Sequence, residues 1–150
     1  MATVGLLFTA LIFGCSTTQS NRQIIEKLHE ARPYSRALLG SPALSEEIEW
    51  WAAGSRERLP WAGTWHGKAG VQEFFRILNA EMKYQKFEAE ELISGGNRVI
   101  AIVSAGGHAI RSRRPFESQI VREYTFREGK IVRVRNFYDT AAYERSLASE

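Results

Sequence analysis

The sequence SQIVREYTFREGKIVRVRNFY, residues 118–138, predicts two antiparallel strands joined by a tight turn. In its first half the even positions, from Ile120 to Phe126, carry larger and more apolar side chains than the odd positions. Alternation with a period of two is typical of a strand that buries one face. The segment REGK then interrupts the pattern, and Gly129 supplies the positive φ of a bulged hairpin turn. We therefore expect a hairpin with one face turned toward a core.

Outward from this hairpin, the chain shows helical spacing first and strand patterns afterwards. The predicted elements, in chain order, are helices over residues 22–31 and 34–39, a strand over 46–52, a loop over 54–67, a helix over 68–82, strands over 84–93 and 98–105, the hairpin, and a last helix that Asp139 caps and that runs to Leu147. The strand over 98–105 is apolar on both faces, which favours a central position. Gly106-Gly107 suggests a bend or bulge in a long strand. Helices followed by a run of antiparallel strands predict an α+β fold.

The composition limits the classes of function. The 150 residues are the usual size of one domain, and 44% hydrophobic and 25% charged residues are typical of a globular protein. The net charge is only +3, and the densest basic run, residues 111–114, is interpreted as a solvated hairpin face rather than a patch for nucleic acid or lipid. One cysteine excludes an internal disulfide, and the three histidines lack paired ligand spacing, so no metal or cofactor is predicted.

The first twenty residues are predicted to be separate from the domain, which we assign to residues 21–150. Residues 4–14 form an uncharged apolar run of eleven residues, whereas a membrane-spanning helix needs about 20. The run, followed by Cys15 and a polar segment, resembles a bacterial lipoprotein leader. That resemblance implies lipid attachment at Cys15 and a place in the bacterial cell envelope. Because no Lys or Arg precedes the run, the alternatives are a disordered tail or a packed helix, and a cytoplasmic location.

Several short motifs appear in an order that resembles one protein family. They are IEWW at residues 48–51, PWAGTWHG at 60–67, GVQEFF at 70–75, FREGKI at 126–131 and FYD at 137–139. Together they resemble the SnoaL-like branch of the nuclear transport factor 2-like superfamily over about residues 21–143. The resemblance implies a cone-shaped roll, in which helices pack on the concave face of a strongly curved, mixed or antiparallel sheet and enclose a ligand cavity. It also implies a homodimer through the outer face of the sheet.

Strand alternation predicts which side chains face that cavity. On the hairpin, the residues in phase with Ile120 are Arg122, Tyr124, Phe126, Val132, Val134, Asn136 and Tyr138. An arginine on a core-facing strand needs a partner, because an unpaired buried charge is costly. Arg122 is therefore interpreted as a group that holds a carboxylate, enolate or phenolate of a ligand; the alternatives are an ion pair with Glu49 or Glu81, or an orientation toward solvent. The predicted ligand-binding residues are Trp50, Trp61, Trp65, Phe75, Arg122, Tyr124, Asn136 and Tyr138.

Candidates for a catalytic base are few. In isomerase members of the family, a carboxylate near the end of the first strand and a second acid on a late strand carry the reaction. The resemblance places those positions at Trp50 and Arg122, and neither of these residues is acidic. Proton abstraction beside a carbonyl needs a positioned base, and the remaining candidates include His66, Glu49 and Glu123. An aromatic, acid-poor cavity favours a domain that binds a small hydrophobic ligand, neutral or anionic, with no assigned catalysis. The alternative is a cofactor-independent isomerase, cyclase or dehydratase acting on a carbonyl compound.

Overall fold

The computed structural model describes residues 14–148. Its elements, in chain order, are α1 (Gly14–Glu30), α2 (Tyr34–Gly40), β1 (Leu44–Ala52), β2 (Gly63–His66), α3 (Gly67–Glu81), β3 (Met82–Gly95), β4 (Arg98–Ala109), β5 (Pro115–Arg127), β6 (Lys130–Tyr138) and α4 (Thr140–Leu147). The strands form one mixed sheet in the order β2-β1-β6-β5-β4-β3, with β1 and β6 parallel and the other neighbours antiparallel. The predicted α+β fold is confirmed.

The helices cover one face of the sheet, called the inner face below. In β1 this face carries Ile48, Trp50 and Ala52, all fully buried. The apolar positions of α3 that predicted an amphipathic helix, among them Val71 and Phe74, are buried against the sheet. Each such side chain contributes about 1.5–3 kcal/mol of burial free energy. The core therefore lies between the inner face and the helices.

The first helix differs from its predicted bounds. We expected it to begin after Ser20-Asn21, but α1 begins at Gly14 and so includes the backbone of Cys15. Residues 1–13, which hold most of the predicted leader, and the side chain of Cys15 lie outside the described residues. Lipid attachment at Cys15 therefore stays a prediction. Within residues 14–148, no helix combines the length and the apolarity that crossing a bilayer requires.

The hairpin confirms the predicted turn and corrects one register. Glu128 and Gly129 both have positive φ, 49° and 73°, as a two-residue type I′ turn requires. The register then shifts, because Thr125 pairs with Arg133 whereas Phe126 pairs with Ile131. Ile131 consequently faces inward, and Val132, which was predicted to face the cavity, lies on the outer face.

Two bulges shape β3. Tyr84 pairs with Gly107 and Lys86 with Gly106, so Gln85 is an extra residue on β3; Glu90 is a second one. The bend predicted at Gly106-Gly107 is thus a bulge on the partner strand, and β4 itself stays regular. Because a bulge shifts the alternation by one residue, Tyr84 and Phe87 both face inward. The bulge at Gln85 therefore decides which side chains β3 presents to the interior.

Residues 54–67, predicted as a loop, contain the edge strand β2. This strand has only four residues and begins at Gly63, so its sequence carries no alternation long enough to recognise.

The predicted cap at Asp139 is confirmed, since its Oδ1 accepts a hydrogen bond of 3.1 Å from the backbone N–H of Ala142. The strand β4, predicted to be central, pairs with a neighbour on both sides but lies next to the edge strand β3. The prediction is therefore confirmed only in part.

The outer face of the sheet carries a small apolar area. Val121 and Phe137 are both 36% exposed, and the ring of Trp51 lies 5.2 Å from that of Phe137. Arg135 stacks over both rings, at 5.6 Å and 4.9 Å. The homodimer through this face stays a prediction.

Candidate functional site

A cavity of about 250 Å³ opens between the start of α2, the end of α3 and the bulged part of β3. We call it the mouth cavity. Its lining includes Arg32, Tyr34, Phe75, Leu78, Asn79, Tyr84, Gln85, Lys86, Phe87 and Arg122. The volume is slightly below the range of about 300–1,000 Å³ that holds drug-sized ligands, so it suits a small one.

Arg122 forms the inner end of the mouth cavity. Its residue is 4% exposed, and its Nε donates a hydrogen bond to Oδ1 of Asn136. Its guanidinium carbon lies 4.8, 5.2 and 5.4 Å from the ring centres of Tyr34, Trp50 and Phe87. Cation–π contacts of this kind contribute about 0.5–2 kcal/mol each. The aromatic rings therefore replace part of the hydration that the buried cation has lost.

The guanidinium is not neutralised by an acid. Within residues 14–148, none of the ion pairs includes Arg122, and its buried Nη1 has no hydrogen-bond partner. Burial lowers the pKa of Arg122, but the hydroxyl groups of Tyr34 and Tyr124 outweigh that effect and the net pKa is raised. Arg122 is therefore a permanent positive charge with an unused donor, and the alternative of an internal ion pair is wrong.

The amide of Asn136 is held in one orientation. Its Nδ2 donates a hydrogen bond of 2.8 Å to the backbone oxygen of Trp51, which leaves Oδ1 to accept from Arg122. Arg122 and Asn136 are also direct neighbours in the pairing of β5 with β6. The strand register therefore keeps the two side chains next to each other, and the bond to Asn136 fixes the guanidinium.

A chain of three side chains approaches Arg122 from the helices. The Oη of Tyr124 lies 2.9 Å from Nε2 of His29 and 2.7 Å from Oη of Tyr34. His29 is on α1, Tyr34 begins α2 and Tyr124 is on β5. Burial, together with the positive charges of Arg122 and Arg32, lowers the pKa of His29 to about 3. The imidazole is therefore neutral, and the chain ends at Tyr34 in the wall of the mouth cavity.

A second, smaller space also reaches Arg122. This inner void of about 20 Å³ is lined by Trp61, Tyr84, Arg122, Asn136, Tyr138 and Tyr143, together with Phe74, Leu78 and Ile120. It is large enough for about one water molecule. Tyr138 donates to the backbone oxygen of Ala53 at 2.6 Å and accepts from Nε1 of Trp61 at 3.0 Å. Tyr138 thus joins the tryptophan-containing loop to the end of β1.

Three buried tyrosines near Arg122, namely Tyr84, Tyr124 and Tyr138, are neutral. Burial raises the pKa of Tyr84 to about 12, although its hydrogen bond with Tyr143 lowers it slightly. Burial likewise raises the pKa of Tyr124 and Tyr138. These hydroxyl groups therefore stay protonated and add no negative charge beside Arg122.

The family is decided by comparison with known sequences. Residues 40–134, more than half of the chain, match the SnoaL-like domain. The chain belongs to the SnoaL-like family. Its structural neighbours place it in the nuclear transport factor 2-like superfamily and agree with a cone-shaped roll.

Three known proteins illustrate these similarities of the SnoaL-like chain. UPF0523 protein B of Dictyostelium discoideum is 23% identical over 110 residues, which cover 70% of this chain and 66% of that protein, slightly under two thirds of its length. A nuclear transport factor 2-like protein from Burkholderia xenovorans LB400 is 29% identical with a TM-score of 0.74, over 87% of this chain and 98% of the other. A protein from Jannaschia sp. CCS1, described as a candidate SnoaL-like polyketide cyclase, has 12% identity and a TM-score of 0.74, over 89% and 95%.

Seven of the eight predicted ligand-binding residues of the SnoaL-like domain fall into three groups. Phe75 and Arg122 line the mouth cavity, whereas Trp61, Asn136 and Tyr138 line the inner void. Tyr124 and Trp50 are fully buried behind Arg122. Trp65 lines neither space, because β2 holds it at the sheet edge, where its Nε1 donates to the backbone oxygen of Trp61 at 2.9 Å.

The candidate bases lie away from both spaces. Glu49 and Glu123 alternate with Trp50 and Arg122 and therefore face outward. The carboxylate of Glu123 lies 3.0 Å from Arg98 and 3.8 Å from Arg135, and Glu49 lines a groove on the outer face. His66 is exposed at the end of β2. None of the three is therefore placed to act as a base in either space, and the assignment of a catalytic base stays a prediction.

Sequence reasoning missed His29, Tyr34, Tyr84 and Phe87. His29 follows Ile25 by one helical turn, so the helical spacing could have placed it on the same buried face of α1. Tyr34 required knowledge of how α2 folds over the sheet. Tyr84 and Phe87 are three residues apart and share a face only because of the bulge. Within residues 14–148, no group of His, Cys, Asp and Glu side chains could hold a metal ion.

Proposed function

We propose that this SnoaL-like domain binds a small hydrophobic anion in the mouth cavity, with Arg122 as the charged anchor. The observation that carries the proposal is the buried guanidinium whose Nη1 lacks a hydrogen-bond partner. An unpaired buried charge is costly, and an anionic ligand would supply the missing acceptor. The aromatic walls, among them Tyr34, Phe75 and Phe87, suit a flat apolar body.

Binding of cinnamate provides a test, with neutral cinnamamide as the matched probe. We expect cinnamate to bind more tightly to the wild type, and Arg122→Met to weaken cinnamate binding about 10- to 100-fold, because a hydrogen bond to a charged group contributes about 1.5–3 kcal/mol. The affinity for cinnamamide should change little. Titration calorimetry or quenching of tryptophan fluorescence measures both affinities.

Two further variants separate binding from folding in this test. Arg122→Lys keeps the charge but loses the forked donors, so we expect an intermediate affinity with an unchanged fold. Arg98→Met removes an arginine that pairs with Glu123 on the outer face and should leave cinnamate binding intact. Equal affinities of the wild type for cinnamate and cinnamamide would contradict the proposal, provided that thermal melting shows a folded protein.

A second candidate function is cofactor-independent catalysis on a carbonyl compound. It is supported by the chain from His29 through Tyr124 to Tyr34, which ends beside Arg122 in the cavity wall. Tyr34 and Arg122 would stabilise the oxygen of an enolate. Within residues 14–148 no carboxylate lines the mouth cavity, so a proton acceptor would have to be solvent or neutral His29 acting through the two hydroxyls.

Exchange of the α-protons of cyclohexanone for deuterium, followed by proton NMR in deuterium oxide, tests this second function. An active enzyme would accelerate the exchange, and Tyr34→Phe would reduce the acceleration at least about tenfold. An exchange rate equal to that of buffer alone, or a rate indifferent to Tyr34→Phe, would exclude this mechanism and leave anion binding unaffected.

A further inference from the structure

The side chain that holds Arg122 in the interior is an amide rather than an acid. Asn136 is 2% exposed, and its Oδ1 accepts the hydrogen bond from Nε of Arg122. A carboxylate of the same shape would accept the same bond, but it would also neutralise the guanidinium. The identity of the side chain at this position therefore determines whether Arg122 keeps its net charge.

The end of β1 requires a hydrogen-bond donor from Asn136. Nδ2 of Asn136 donates to the backbone oxygen of Trp51 at 2.8 Å, and the backbone oxygen of Asn136 accepts from the N–H of Ala53 at 3.0 Å. An ionised aspartate has no proton to donate to the oxygen of Trp51. Two buried acceptors would then face each other without a donor, which is unfavourable. An amide therefore fits this position because it donates to β1 and accepts from Arg122.

The other neighbours of the guanidinium carry no negative charge either. Its carbon lies between 4.8 and 5.4 Å from the centres of three aromatic rings, which belong to Tyr34, Trp50 and Phe87. Arg122 lines both the mouth cavity and the inner void, and in the described part of the chain no Asp or Glu lines either space. A carboxylate at position 136 would therefore change the net charge of the site from positive to neutral.

We propose that Asn136 is the positioning residue that makes the mouth cavity selective for anions. Its amide fixes the guanidinium of Arg122 and leaves the positive charge for a ligand to neutralise. Asn136 acts through Arg122, because both polar atoms of its amide are already bonded and it lines the inner void rather than the mouth cavity. This inference rests on the proposed function, since it assumes that an anion binds beside Arg122. It extends that function by assigning the residue that sets the preference for charged over neutral ligands.

Asn136→Asp, measured with cinnamate and neutral cinnamamide, tests this inference. In the variant the new carboxylate would pair with Arg122 and repel a second anion, so we expect cinnamate to bind about 10- to 100-fold more weakly than to the wild type. The affinity for cinnamamide should change little. A defect of structure alone would weaken the binding of both probes, so the ratio of the two affinities reports the charge of the site.

Asn97→Asp is the matched control for this substitution. Nδ2 of Asn97 also donates to a backbone oxygen, that of Phe126 at 3.3 Å, and Asn97 lines neither space. The control therefore adds the same charge to the chain and loses the same kind of hydrogen bond. It should keep the wild-type preference for cinnamate. Titration calorimetry measures the affinities, and thermal melting shows whether each variant is folded.

Asn136→Ala provides a second test, which does not depend on the folding of Asn136→Asp. It removes the amide without adding a charge, so cinnamate should bind more weakly than to the wild type but still more tightly than cinnamamide. A folded Asn136→Asp that keeps the wild-type preference, or a folded Asn136→Ala that loses it, would overturn this inference and leave the proposed function standing. If the wild type itself does not prefer cinnamate, both proposals fail together.

Discussion

Replacing Gly107 with alanine is expected to lower the free energy of unfolding by more than about 4 kcal/mol, or to prevent folding. A Cβ at this position would lie 2.0 Å from the backbone oxygen of Lys83 and 3.0 Å from the Cα of Tyr84. A carbon and an oxygen normally approach to about 3.3 Å. No side-chain rotation can relieve a contact with backbone, so β3 and β4 would have to separate and lose ladder hydrogen bonds of about 1 kcal/mol each.

Gly106 provides a matched control for this substitution. A Cβ there would lie 3.5 Å from the nearest atom, the backbone oxygen of Phe116, which is an ordinary contact. We expect Gly106→Ala to change the free energy of unfolding by less than about 1 kcal/mol, since alanine is if anything preferred to glycine within a strand. Urea unfolding followed by tryptophan fluorescence compares the two variants. Similar losses in both would contradict the close packing of β3 at its bulge.

The same bulge shows where prediction from sequence reaches its limit. The glycine pair correctly indicated an irregularity between these strands, but the extra residue belongs to the partner strand. A glycine marks where two backbones come close; it does not say which of them is kinked. The phase of β3 beyond Gln85, and with it the inward position of Phe87, therefore depended on a pairing that the sequence of β3 alone does not specify.

Alternation worked where one strand has a regular register and a buried face. It correctly placed Arg122 and Tyr124 inside, because β5 has neither an extra residue nor a break between Ile120 and Thr125. Alternation also turns the side chain of Glu123 away from the interior. This position argues against Glu123 as a base, although the sequence alone leaves Glu123, Glu49 and His66 as candidates. It failed for Val132, one step beyond the register shift.

The interior partners of Arg122 were harder to predict than Arg122 itself. Its contacts with Tyr34 and Trp50 join α2, β1 and β5, which are distant in sequence. An ion pair with Glu49 or Glu81 is one alternative that the sequence leaves open for Arg122, because a buried charge is usually paired. The domain instead surrounds the guanidinium with aromatic rings and one amide. That arrangement leaves a donor unused, which a sequence pattern cannot reveal.

His29→Gln is expected to make the stability of the domain less sensitive to mild acid. In the folded protein, burial and the charges of Arg122 and Arg32 lower the pKa of His29 to about 3, whereas the ordinary value is 6.5. Between these values the unfolded chain binds more protons than the folded one, so stability falls as the pH falls. The slope approaches about 1.4 kcal/mol per pH unit, or about 2 kcal/mol from about pH 7 to about pH 5. Above pH 6.5, the ordinary pKa that His29 has in the unfolded chain, the imidazole is neutral in both states and this loss of stability is absent.

The variant removes this titration but keeps an amide that can pair with Tyr124, so its unfolding free energy should lose about 2 kcal/mol less over the same interval. Urea unfolding at several pH values above about 5, where most carboxylates remain ionised, measures the difference. His66→Gln alters an exposed histidine and is the matched control, expected to keep the wild-type slope. If His29→Gln also kept the wild-type slope, His29 would accept a proton in the folded state. The assignment of a neutral imidazole bonded to Tyr124 would then be incorrect.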